Sequence, residues 1–210
     1  MPSRLSLRHA ILLGLMQGPT EVLPVSSSAH TALIPRLAGW PEAQIDAELR
    51  NALEVALHAS TAAALSIALR GELAQTLREL DGRTFGSATL ALAPPALVGY
   101  LLEQGLERRP SGTRALGAGL ALGGAALALA DSRPGTRKLA DAGPRDGLAL
   151  GVAQALALLP GVSRNGATLT AARARRFARE DAQALSWRVG LPVIAGATAL
   201  KARRLAQHRP

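Results

Sequence analysis

The sequence has no cysteine, and only 2 % of its 210 residues are aromatic. Without thiols, neither a disulfide framework nor a thiolate metal site is available. With so few rings, any core must be built from Ala, Leu, Val and Gly. Acidic residues are also scarce, 15 against 24 basic ones, which leaves a net charge of +9. In a soluble chain that excess points to nucleic acid. The placement of the charges points elsewhere. They gather in short blocks at 70–83, 103–114, 131–145, 173–181 and 201–209. Between the blocks, charge nearly vanishes. Positions 10–35 hold one Glu and one His, and 87–102, 115–130, 147–163 and 189–200 hold no charged residue at all.

A helix needs about 20 mostly apolar residues to cross a bilayer. Several windows reach that length if a flanking arginine extends to the headgroups. Others are short, or are broken by Pro and Gly. The mean hydropathy of +0.16 is low for a membrane protein, and the arginine-rich connectors account for it. A soluble Ala/Leu-rich bundle is the competing reading, but it needs polar faces at helical spacing, and 115–130 has none. A second competitor is a signal peptide at the N-terminus, where Arg4 and Arg8 precede "AILLGLM".

An internal repeat argues against the signal peptide. When the chain is shifted so that Arg8 meets Arg145, "RHAILLGLMQ" lies over "RDGLALGVAQ" and "LPVSSSAHT" over "PGVSRNGAT". Leu13 then meets Leu150, Gly14 meets Gly151 and Gln17 meets Gln154. Val25 meets Val162, Ser26 meets Ser163 and Thr31 meets Thr168. Each copy is an apolar run, a Pro/Gly break and a polar cluster. Paired hydrophobic segments broken in this way point to re-entrant helices meeting near the membrane middle. Irregular backbone at that depth is tolerated only when it is enclosed by protein or lines a wet cavity. The expected fold is therefore all-α: a polytopic integral membrane protein forming a single membrane domain over 1–210. It has two inverted repeats with re-entrant helix pairs, the first at about 8–70 and the second at about 145–204.

The two clusters hold the chemistry. Glu21 is costly in lipid and so faces a cavity or a partner. Ser26, Ser27 and Ser28 follow Pro24, where a new helix begins and its N-terminus offers an anion site. His30 shares a helical face with Ser26 and Ser27. A serine, a histidine and a glutamate are the ingredients of an activated nucleophile or an acid–base pair. In the second cluster Arg164 stands in a Gly-rich turn suited to bidentate phosphate binding. Together they suit phosphoryl chemistry on an anionic lipid headgroup. Other readings compete at single positions. Ser28 equally suits a bond to the preceding turn. Gln17 and Gln154 suit packing between helices. His58 reads as a packing or interfacial histidine, Glu54 as a residue near a helix mouth, and the arginines of 173–179 as a solvated or headgroup-facing surface.

"LLGLMQGPTEVLPVSSSAH" and "LLPGVSRNGATLTAA" resemble the two signature regions of the undecaprenyl-diphosphate phosphatases, the bacitracin-resistance membrane proteins. "LHASTAAALSIALR" is similar to the helix between them. The resemblance implies a multi-pass phosphatase of the bacterial plasma membrane with its active site on the extracytoplasmic side. It would remove the terminal phosphate of undecaprenyl diphosphate and recycle the lipid carrier for peptidoglycan and other wall polymers. It also implies a divalent cation, Mg²⁺ or Ca²⁺. By position, Glu21 would be the catalytic carboxylate or metal-associated group, Ser27 the nucleophile or a phosphate contact, His30 the acid–base partner and Arg164 the diphosphate clamp. Gln17, Ser26, Ser163 and Thr168 would be supporting substrate contacts. A water activated by Glu21 or His30 is the alternative nucleophile. The expected partners are the polyprenyl diphosphate lipid and the membrane, with a homodimer as one arrangement and no nucleic acid.

Three departures stand out. Gln17 occupies a position where many members have Glu. Asn165 replaces the usual Ser, and Ala29 the usual Gly, where alanine resists a positive φ. The family pattern also implies further spanning helices beyond "KARRLAQHRP". A truncated, inactive member is therefore one alternative to the phosphatase, and a non-catalytic polyprenyl-phosphate flippase or transporter on the same repeat is another.

Overall fold

The computed structural model describes residues 6–45, 47–78, 81–106 and 112–207. The charged positions expected at 79–80, 107–111 and 208–209 lie outside the described residues. Among the described residues the chain folds into nine α-helices, two short 3₁₀ segments and one isolated bridge between Arg137 and Phe177. The helices are α1 (Leu7–Val22), α2 (Ser27–Leu37), α3 (Ala47–Ala68), α4 (Arg70–Arg78), α5 (Gly82–Leu106), α6 (Thr113–Asp131), α7 (Pro144–Leu156), α8 (Arg164–Ala174) and α9 (Arg179–Gln207). The expected all-α class is present.

The helix bounds carry the same offset as the sequence repeat. α1 starts at residue 7 and α7 at 144; α2 covers 27–37 and α8 164–174. At 1.5 Å per residue α1 is about 24 Å long, and α2 and α8 about 17 Å, all short of a hydrocarbon core of about 30 Å.

The breaks have local causes. Pro24 pushes Leu23 into extended backbone, at φ −77° and ψ 153°. Ser26 then takes φ 61°, a value uncommon for a residue with a Cβ, and α2 restarts at Ser27. Ala29 lies fully buried inside α2, so the strained position in this turn is Ser26 and not Ala29. In the second pair the chain turns at Pro160 and Gly161. Gly161 has φ 85°, and a Cβ there would lie 2.2 Å from the Leu116 carbonyl oxygen of α6. Ser163 then caps α8 by accepting from the Gly166 N–H at 3.1 Å.

Among the described residues, α5 and α6 contain the two stretches long and apolar enough to cross a membrane, 82–101 and 113–131, and only 11 % of each is enclosed by protein. Leu97, Leu101, Leu122 and Leu129 point outward from them. α7 packs directly on α5. A Cβ on Gly147 would lie 2.1 Å from the Ser87 carbonyl oxygen, and one on Gly151 would lie 2.4 Å from that of Leu90. This is the close approach that small residues permit between two helices. Pro94 and Pro95 sit inside α5 and have no N–H, so the carbonyls of Leu90 and Ala91 lack their usual helical donors. Gln154 supplies one, donating from Nε2 to the Ala91 oxygen at 3.0 Å. The packing role expected of Gln154 is thus met by a specific bond.

Charges pin the end of the molecule where α6 and α8 finish and α7 and α9 begin. Arg173 is 5 % exposed and donates to Asp131 Oδ1 at 2.6 Å, to the Phe177 oxygen at 2.5 Å and to the Arg133 oxygen at 2.8 Å. Arg179 donates to Asp131 Oδ2 at 2.7 Å. This corrects the expectation of a solvated surface at Arg173, while Arg176 and Arg179 are exposed as expected. Arg173 is enclosed because its five donors are needed by the carbonyls of the 131–137 turn and of Phe177. Asp146 is buried and paired with Arg137 and Arg175. Burial raises its pKa, but both guanidiniums and the Gly143 N–H outweigh that and hold the carboxyl at about 2. Arg137 also lies over the Phe177 ring, 4.1 Å from its centroid. Behind this layer Ala91, Leu150, Ala172, Phe177, Ala182, Leu185 and Val189 form the core.

Candidate active site

The two helix breaks meet. Asn165 donates from Nδ2 to the Val22 carbonyl oxygen at 2.6 Å, and the bare Cα of Gly166 faces the Pro24 oxygen. Asn165 thereby does what a serine at this position has no reach to do, and ties α8 to the end of α1. Ser27 and Arg164 are the first residues of α2 and α8. Both helices therefore bring unpaired N–H groups and the positive end of their dipoles to the junction.

Glu21 occupies the junction and is 5 % exposed. Arg164 Nη2 forms a close ion pair with Oε1, and Arg164 Nη1 donates to the Gly190 carbonyl oxygen of α9 at 3.1 Å. Ser27 Oγ donates to Glu21 Oε2 at 2.5 Å, and Gln17 Nε2 donates to the same oxygen at 3.2 Å. A buried carboxylate without partners would be expensive, and this one has a guanidinium, a hydroxyl and an amide. The Gln17 amide oxygen is buried and accepts no hydrogen bond from the described residues. In this copy of the repeat, glutamine serves the carboxylate and not a neighbouring helix.

His58 stands beside this group, with Nε2 3.9 Å from Glu21 Oε2. His58 is expected as a packing or interfacial residue, and α3, packed against α1, places its part-exposed ring near the carboxylate. The signal was in the sequence, since His58 is the one ionisable residue in 55–68 and such a side chain in a membrane segment is by default a functional candidate. Glu54, one turn earlier, lies at the rim, 3.3 Å from Lys201 Nζ.

The remaining candidates lie around this centre. His30 bonds through Nδ1 to the Ser26 carbonyl oxygen at 2.9 Å, and no hydrogen bond or ion pair among the described residues joins it to Glu21. Ser26 is buried with its hydroxyl 3.5 Å from that of the exposed Ser28. Ser163 is occupied as the α8 cap. Thr168 is fully enclosed, and its hydroxyl meets the Arg164 and Asn165 carbonyls and, at 2.5 Å, Ser186 Oγ. Ser186 in turn donates to Asn165 Oδ1 at 2.7 Å. Thr168 and Ser186 thus brace the helix that carries Arg164. Ser186 and Gly190 escape sequence reasoning because nothing marks them apart from other small residues of an apolar helix. A small open cleft lies between α2 and α3, lined by Leu13, Thr31, Pro35, Arg36, Arg50 and Glu54 among others. The charged junction is its neighbour along α3 and not part of its wall.

A hydroxyl donating to a carboxylate, with a guanidinium on the other oxygen, is an arrangement for nucleophilic attack on an anion. Several named proteins are similar to this chain over most of its length. A protein from Geobacter metallireducens named undecaprenyl-diphosphatase is 42 % identical over 213 residues, which is 95 % of this chain and 77 % of the relative. Its counterpart in Geobacter sulfurreducens is 39 % identical over 97 % of this chain and 78 % of its own length. One from Campylobacter curvus is 33 % identical over 95 % and 78 %. The family model described as bacitracin resistance protein BacA matches residues 10–209, and with that span covered the chain belongs to the BacA family.

Proposed function

We propose that this protein is a membrane hydrolase that converts undecaprenyl diphosphate to undecaprenyl phosphate and inorganic phosphate. In doing so it returns the lipid carrier to cell-wall synthesis. The relatives named undecaprenyl-diphosphatase supply the substrate. The observation that carries the reading is Glu21, enclosed between the Ser27 hydroxyl and the Arg164 guanidinium.

The chemistry follows from those contacts. Arg164 matches phosphate as well as it matches a carboxylate, so it can clamp the diphosphate while staying held by Gly190. The Ser27 hydroxyl attacks the terminal phosphorus and gives its proton to Glu21. The bond to the inner phosphate breaks, and the departing undecaprenyl phosphate takes that proton. Water then releases phosphate from Ser27. The helix N-termini at Ser27 and Arg164 offset the charge that develops on the phosphoryl oxygens. In this reading Ser163 and Thr168 keep α8 in position, and His30 and Ser26 flank the entry to α2.

The donor set for a cation is sparse. There is one carboxylate, already matched by Arg164, and the unpartnered Gln17 oxygen. No three His, Cys, Asp or Glu side chains gather among the described residues. This suits Mg²⁺ or Ca²⁺ held mainly by phosphate oxygens, with Glu21 and Gln17 as the protein's share. When bound, the cation would neutralise part of the diphosphate charge.

The proposed arrangement is multi-pass, with α5 and α6 spanning and the two short helix pairs entering from opposite faces as inverted repeats. The apolar outer faces of α5 and α6 support it, as does the shared offset of the helix bounds. The site would open to the extracytoplasmic side. The test is phosphate release from undecaprenyl diphosphate by detergent-purified protein. Glu21→Gln and Arg164→Ala should each lower release by at least about 100-fold. Unchanged release in either variant would remove the junction from catalysis. Lipid movement across vesicles without any hydrolysis would favour a transporter.

A further inference from the structure

His58 is the titratable side chain at the junction that the mechanism above leaves unused. It belongs to α3, outside both broken helix pairs. Its Nδ1 lies 2.9 Å from the Glu54 carbonyl oxygen. A carbonyl only accepts, so Nδ1 carries the hydrogen and, in the neutral ring, Nε2 presents a lone pair. That lone pair faces Glu21 Oε2 across 3.9 Å, beyond direct hydrogen-bond range. The carboxylate charge is already matched by Arg164, so a second cation is not needed there. Two acceptors that face each other need one donor with two hydrogens. An oxygen about 2.8 Å from each closes a triangle on the 3.9 Å base with an angle near 90°, which a water molecule can span. The His58 side chain is 29 % exposed and that of Glu21 3 %, so the gap lies where solvent first meets the buried base.

We infer that His58 and Glu21 together hold the hydrolytic water of this reaction, an inference that rests on the hydrolase reading. Once Ser27 carries the phosphoryl group, its hydroxyl no longer donates to Glu21 Oε2. The water oxygen forms a bond to phosphorus and one of its protons passes to Glu21. The bond between phosphorus and Ser27 Oγ breaks, and that proton moves from Glu21 to Ser27 as phosphate leaves. His58 makes no bond to phosphorus. It accepts the water's other hydrogen and so aims the attacking lone pair.

The experiment is turnover of undecaprenyl diphosphate by the purified full chain in buffer containing methanol, with phosphate and methyl phosphate measured side by side. Methanol has a single O–H and cannot bridge two acceptors, so the wild type should discriminate against it. His58→Ala should lower hydrolysis by about 100-fold. It should also raise the ratio of methyl phosphate to phosphate by about tenfold, the scale of one lost hydrogen bond. His58→Gln, whose amide oxygen can accept, should keep the ratio near that of wild type. His58→Leu carries the same expectation as alanine if alanine does not survive purification. A ratio that stays constant while both products fall would make His58 a structural residue and overturn the inference, as would full activity in His58→Ala. If the wild type releases no phosphate, the failure lies with the hydrolase reading and the inference falls with it.

Discussion

The two broken helix pairs share their boundaries but not their surroundings. The second is enclosed. Gly151 is buried against the α5 backbone, Gln154 satisfies a carbonyl freed by proline, and the first turn of α7 is tied down by Asp146. The first is open. Gly14, the counterpart of Gly151, is exposed with nothing within 4 Å of where its Cβ would be. Gln17, the counterpart of Gln154, turns to Glu21. His9, the counterpart of Asp146, stacks on Trp40 with ring centroids 4.1 Å apart. The comparison teaches a division of labour within one motif. The packed copy is a mount that holds one guanidinium still, and the open copy supplies the carboxylate and hydroxyl that meet it.

The largest effect should come from separating the copies at their joint. Glu21→Ala leaves the part-buried Arg164 without its anion, and should cost about 1–3 kcal/mol of stability in detergent as well as activity. Adding Arg164→Ala should recover much of the stability, measured by thermal melting, and none of the activity. Next comes one substitution with opposite signs. Gly151→Ala puts a methyl against the α5 backbone and should destabilise by about 1–3 kcal/mol. Gly14→Ala meets nothing and should stabilise by up to about 1 kcal/mol through helix propensity. Equal effects at the two sites would break the comparison.

A pH series sharpens it further. The folded pKa of Asp146, about 2, is below the usual carboxylate value, so its contribution is present above about pH 4 and is lost as pH falls through 2. Asp146→Asn should lower the melting temperature at neutral pH and flatten its decline between pH 4 and 2. His9→Asn should leave that decline intact. The smallest effect concerns the two helix starts. Ser163→Ala removes a cap and should cost about 1 kcal/mol. Ser26→Gly relieves φ 61° and should be neutral or stabilising by up to about 1 kcal/mol.

Much of this was legible in one dimension. The repeat, the Pro and Gly breaks and the isolation of Glu21 and Arg164 in apolar sequence all mark the junction, because an ionisable group in such a stretch needs a reason. The pairing of Gln154 with Ala91 was not legible. It depends on the Ala91 carbonyl that a proline leaves without a donor in another helix, and the sequence records the missing N–H but not who replaces it. The arginines of 173–179 look like a surface in sequence, since a charge run usually is one. Only the folded turn at 131–137, with its cluster of carbonyls, draws Arg173 inside.

The sequence by itself determined the helical class, where helices stop, and which ionisable side chains stand alone in apolar surroundings. Those are local matters of backbone freedom and of the cost of charge in apolar surroundings. The tertiary structure decided which of the two similar copies became the mount, that Gln17 serves Glu21 while Gln154 serves α5, and that His58 of α3 stands at the carboxylate and His30 does not. These depend on which helix packs on which, and a packing partner leaves no periodic trace in the chain it covers.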